Sequence, residues 1–104
     1  MKKIQQKVLA FRDERGWKKY HNEKDLAISI SLEANELLEN FQWRTSETAI
    51  AESKQNIKEE MADILIYLVQ LADKMQVNLE EEVSKKLVKN AEAYPVNRSE
   101  EKAE

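Results

Sequence analysis

The residues of this sequence best suited to chemistry are four acids in two matched pairs. EANELL at Glu33 to Leu38 is echoed by EMADIL at Glu60 to Leu65, each reading acid-x-x-acid followed by two aliphatic residues. The echo extends to Ile30 with Ile57, Ala34 with Met61 and Phe41 with Leu68. At about 100° per residue, the first acid of each pair falls about 60° from the centre of an apolar stripe. The second falls about 120° away on the same side. If the two stripes pack together, Glu33, Glu36, Glu60 and Asp63 converge at one edge of a shared core. Acids three apart on a helix repel, and four in a partly desolvated place repel more strongly. A fold keeps such a cluster when a cation neutralises it.

The donor set narrows the cation. There is no Cys and a single His, so thiolate sites are excluded and structural zinc is disfavoured. Carboxylate di-iron bundles use Glu-x-x-His pairs, and His is missing from both places. Oxygen-only ligation describes Mg²⁺, with Mn²⁺ as the alternative. The competing reading is a solvated acidic surface. The chain holds 20 Asp and Glu in 104 residues, enough for acid pairs such as Glu36-x-x-Glu39 to arise by chance.

Helices must position these acids. One Gly and one Pro leave too little punctuation for many short strands. The pattern predicts a first helix over about Lys2–Arg15, stopped by Gly16, and then an aromatic connection from Trp17 to Glu23. A second helix is expected over about Asp25–Phe41 and a third over about Lys54–Met75. The polar stretch Gln42–Ser53 lies between them, with Thr45 and Ser46 as turn or cap residues. Asn78, with Glu81 three residues on, reads as the cap of a fourth helix lasting to about Ala93. The expectation is an all-α domain over residues 1–95 and a charged tail over 96–104.

Helices two and three are apolar on more than one side. Leu26, Ile30, Leu37 and Phe41 form one stripe, with Ile28 and Leu32 nearly opposite. Ile57, Met61, Ile64, Leu68 and Leu71 form another, with Ile66 and Val69 behind it. A helix in a small monomeric bundle buries one face, so these second faces predict a homodimer or a dimer of dimers.

Composition excludes other classes. The net charge of −3 with no basic block argues against a nucleic acid polymer as partner. No apolar run approaches a membrane span, and the start carries no signal-peptide pattern. With Cys absent as well, the expected location is the cytoplasm.

The acid pairs and their surroundings also resemble a known family. Glu33-x-x-Glu36 followed by Glu60-x-x-Asp63 resembles the signature of MazG-like nucleoside triphosphate pyrophosphohydrolases. FRDERGWKKYH (Phe11 to His21), LLENFQWR (Leu37 to Arg44) and DILIYLVQLA (Asp63 to Ala72) are similar to the single-domain dCTP pyrophosphatase branch. The resemblance implies a four-helix MazG-like bundle assembled as a tetramer of intertwined dimers. It implies Mg²⁺-dependent hydrolysis of a nucleoside triphosphate, dCTP or a modified pyrimidine deoxynucleotide, to monophosphate and pyrophosphate by water attack at the α-phosphorus. Carried over, Glu33, Glu36, Glu60 and Asp63 would be the metal ligands and catalytic acids. Trp17, His21 and Trp43, joined by Tyr67, would line the base pocket. Lys86, Asn90 and Tyr94 match a K-x-x-x-N-x-x-x-Y pattern whose Lys and Asn would contact phosphates. Asp25 departs from the branch, which often has Asn there.

Without the resemblance, Trp17, Trp43 and Tyr67 read equally as core, His21 as a loop residue, and Lys86 and Asn90 as solvated helix surface. Two other functions compete with the hydrolase. One is an oligomeric helical interaction module without catalysis. The other is a hydrolase of a different phosphorylated metabolite, against which the aromatic set Trp17, His21 and Trp43 argues for a stacked base.

Overall fold

A computed structural model describes residues 1–96, and these form four α-helices with no strand among them. The tail expected from residue 96 lies outside the described residues apart from Val96. Helix α1 spans Lys2–Glu14, and Gly16 closes it in the left-handed region at φ 64°. A Cβ there would be strained, which is why glycine ends this helix. The aromatic connection forms one 3₁₀ turn over Trp17–Tyr20.

Helix α2 spans Glu23–Glu39 and starts earlier than expected. Asn22 is its cap, its side-chain oxygen accepting from the Asp25 backbone N–H at 2.8 Å. Glu23 and Asp25 in the first turn suit the positive end of the helix dipole. Phe41, assigned to this helix from its stripe, instead lies in the turn that follows.

Helix α3 spans Ser46–Lys74, so the polar stretch expected as a connection is mostly helical. Thr45 caps it, accepting from Thr48 N–H at 3.1 Å. Ala49 is fully buried, and tertiary burial outweighs the polar composition that suggested a loop. The helix is broken once, at Ser53, with φ −125° and ψ 22°. Helix α4 spans Leu79–Ala93, and Asn78 caps it as expected, accepting from Glu81 N–H at 3.2 Å.

Helices α2 and α3 pack as a long hairpin, the main contact of the fold. The stripe predicted for α2 faces inward: Leu26 is fully buried, Ile30, Leu37 and Phe41 are half-buried, and Ile28 and Leu32 are exposed. On α3 the outcome differs. Met61 of the predicted main stripe is 58% exposed, whereas Val69, assigned to the back, is 2% exposed. The reason is α1, which lies over that back face: Leu9 shares a cleft with Val69 and Ala72, and Val8 and Phe11 one with Ile66. The second apolar face of α3 is thus partly covered by α1, with Val69 buried and Ile66 still 37% exposed.

Arg12 locks α1 in place. It is 3% exposed, and its Nη1 and Nε donate to Asp73 and Asp13, each at 2.9 Å. Two carboxylates offset the cost of burying this cation. Nearby, Lys74 Nζ donates to the Lys18 carbonyl at 2.8 Å and ties the 3₁₀ turn to the end of α3.

The expected four helices are present, but one chain does not close them into a bundle. Residues 80–93 of α4 are all exposed, including Val83, Leu87 and Val88. Only the first turn of α4 meets the hairpin, where Leu79 is half-buried beside Leu65 and Leu68. The radius of gyration is 17.3 Å, against roughly 13 Å for a compact chain of this length.

Candidate active site

The α2–α3 hairpin brings the two acid pairs face to face. One carboxylate oxygen from each of Glu33, Glu36 and Glu60 lies within 4.8 Å of the others. Asp63 is one turn along α3 from Glu60, half-buried and outside this close set. In both pairs the first acid is the more buried, as the helical phase predicts: Glu60 is 8% exposed and Glu33 half-buried, while Glu36 is exposed.

Their electrostatics are those of crowded like charges. Glu33 is pushed up from 4.5 to about 8, first because its protonated form hydrogen-bonds Glu60, then through desolvation and the adjacent Glu36. With both acids ionised, Glu33 Oε2 and Glu60 Oε2 are buried and have no donor. A buried oxygen without a donor is costly. Two of them beside a third acid fit a hard divalent cation, for which all-oxygen ligation is the normal donor set. Tyr67 belongs to this wall, half-buried one turn beyond Asp63. Burial raises its hydroxyl pKa first, then the charges of Glu33, Asp63 and Glu36.

The remaining expected residues divide by location. His21 is half-buried just before α2. Trp17 packs edge-on against Phe11, with ring centroids 5.7 Å apart, and Arg15 lies 3.5 Å over the Phe11 ring. Trp43 is 99% exposed on a left-handed backbone at φ 60°. For Trp the core reading therefore fails at position 43, and at position 17 the ring stays 44% exposed. Lys86 and Asn90 lie on the exposed length of α4 and Tyr94 just past its end, and the chain does not bring them against the acids.

Sequence reasoning missed the other wall of the site. A groove of about 280 Å³ is lined by Glu36, Glu39, Asn40, Arg44, Asn56 and Glu60. The signal was available, because Asn40 follows Glu36 by four residues and Asn56 precedes Glu60 by four. In an antiparallel hairpin both spacings point toward the same connecting turn.

A model of the MazG-like family matches residues 28–104. The dCTP pyrophosphatase 1 of Bos taurus is 36% identical over 94 residues, covering 86% of this chain and 56% of the relative. The Homo sapiens dCTP pyrophosphatase 1 is 34% identical over 92 residues, covering 84% and 54%. The chain spans about half the length of these curated relatives. A solved pyrophosphatase from Archaeoglobus fulgidus superposes with a TM-score of 0.85 at 45% identity, covering 92% of this chain and 93% of the other.

Proposed function

The chain belongs to the MazG-like family, and from that membership we propose that it is a nucleoside triphosphate pyrophosphohydrolase releasing monophosphate and pyrophosphate. The observation that carries this reading is the convergence of Glu33, Glu36 and Glu60, with two buried oxygens lacking donors. The relatives named as dCTP pyrophosphatases support a deoxycytidine or modified pyrimidine triphosphate as substrate.

Glu33, Glu36 and Glu60 would hold a Mg²⁺ ion, with Asp63 extending the same wall. Bound there, the cation would offset the phosphate charge and stabilise the transition state of phosphoryl transfer. One of the four carboxylates, free of the cation, would orient a water toward the α-phosphorus and accept its proton, and Glu→Gln at positions 33, 36 and 60 together with Asp63→Asn identifies which one. The nucleoside would stack among Trp17, His21 and Trp43, with Tyr67 at the edge of the acids. Lys86 and Asn90 would meet the phosphates from another copy of the chain. The exposed Ile28, Leu32 and Met61 on the hairpin, and Val83, Leu87 and Val88 on α4, support a homodimer or dimer of dimers in which that contact forms. The cytoplasm is the compartment where such a substrate is met, and no helix among the described residues is long and apolar enough to cross a membrane.

The test is product analysis with Mg²⁺ and a panel of nucleoside triphosphates, with Glu60→Gln as control. Monophosphate and pyrophosphate from a deoxycytidine nucleotide, lost in the variant, is the expected result. Release of single phosphate would move the attack away from the α-phosphorus. No turnover by a correctly folded protein would leave the interaction module as the better reading.

A further inference from the structure

We propose that Arg44 is a phosphate-contacting residue of this site, an assignment that rests on the hydrolase reading. The groove beside the acids is lined by three carboxylates, Glu36, Glu39 and Glu60, two amides, Asn40 and Asn56, and a single cation, Arg44. A triphosphate entering next to a metal held by the acids still carries anionic oxygens that the metal does not reach. A planar guanidinium lining the same groove supplies donors in the fork geometry that phosphate oxygens fit.

The fold holds this arginine at the groove by specific means. The turn after α2 passes through Trp43 in the left-handed region, and Arg44 N–H then donates to the Phe41 carbonyl at 3.3 Å. Its Nη1 donates to Ser53 Oγ at 3.0 Å, at the one non-helical position of α3, and faces the exposed Glu52 at 3.6 Å. A hydroxyl and a loosely placed, solvated carboxylate are weak partners. The side chain is 39% exposed, so a phosphate can take their place without a buried pair being broken.

The experiment is calorimetric titration of a non-hydrolysable dCTP analogue, and separately deoxycytidine, into the intact Mg²⁺-loaded protein. Wild type, Arg44→Ala, Arg44→Lys and Glu52→Gln are compared, each checked by circular dichroism. Arg44→Ala is expected to weaken the triphosphate analogue by about tenfold or more, with deoxycytidine unaffected. Arg44→Lys should recover part of the loss, and Glu52→Gln should bind as tightly as wild type or tighter, since a competing acid is gone. Equal loss for nucleoside and triphosphate, or a Glu52→Gln variant that mimics Arg44→Ala, would make Arg44 a structural tie between the turn and α3 and overturn the proposal. Unchanged triphosphate affinity in Arg44→Ala would overturn it as well. A wild-type protein that binds no triphosphate would instead remove the hydrolase reading itself.

Discussion

The α2–α3 hairpin and α4 carry the residues to which the family resemblance ascribes metal ligation and phosphate contact, and the fold treats them in opposite ways. On the hairpin, the inward stripe of α2 is buried or half-buried, the caps are satisfied, and three acids meet within 4.8 Å. On α4, residues of the same quality, Lys86 and Asn90, sit on a helix exposed along residues 80–93. The difference teaches where the chain completes itself. An i,i+3 pattern on two helices joined by a short turn needs only their own packing to converge. A pattern on a helix that extends away from the body needs a second surface to give it a place.

The sharpest test of this contrast is Glu60→Gln, which should lower turnover of a deoxycytidine triphosphate by at least about a hundredfold. Lys86→Ala should cost about tenfold or more through a lost charged hydrogen bond. If α4 serves a second copy, mixing Glu60→Gln with Lys86→Ala chains should raise activity above that of either variant alone. Failure to raise it after subunit exchange would mean that α4 folds back onto its own hairpin.

Stability should divide along the same line. Leu26→Ala, at the fully buried centre of the hairpin, is expected to cost about 2–5 kcal/mol in denaturant unfolding. Leu87→Ala on α4 should stay within about 0.5 kcal/mol at protein concentrations low enough to keep the chain monomeric. A comparable loss at both positions would erase the distinction.

The acid cluster also predicts a pH dependence. Glu33 is held near 8 in the folded chain against 4.5 ordinarily, so the folded state binds its proton more tightly than the unfolded state. The stability this contributes is complete below about 4.5 and lost as pH rises through about 8. In chelator, the melting temperature should therefore fall across that window, and Mg²⁺ should suppress the fall. A modest effect of the opposite sign is expected at Trp43. Trp43→Gly should relieve the left-handed backbone and stabilise the fold by roughly 1 kcal/mol, while weakening nucleotide binding. A loss of stability would show that the indole packs in the assembly rather than waiting for a base.

Much of this was legible in the residues. The matched acid pairs, the inward stripe of α2, Gly16 as a stop and Asn78 as a cap all rest on local geometry, whose period and cap chemistry are written in sequence spacing. The start of α3 was not, because a polar segment becomes helical when Ala49 is buried and Thr45 caps it. Nor was the exposure of Met61, since which of two apolar faces is covered depends on where α1 lands. By itself the sequence determined that the chain is all-helical and that its acids share helix faces. The tertiary structure alone decided that Glu33, Glu36 and Glu60 meet while Asp63 stands one turn off, that Arg44 reaches the same groove, and that α4 stays exposed over residues 80–93. Those outcomes depend on distances between elements far apart in the chain, and helical periodicity fixes only directions around each helix axis.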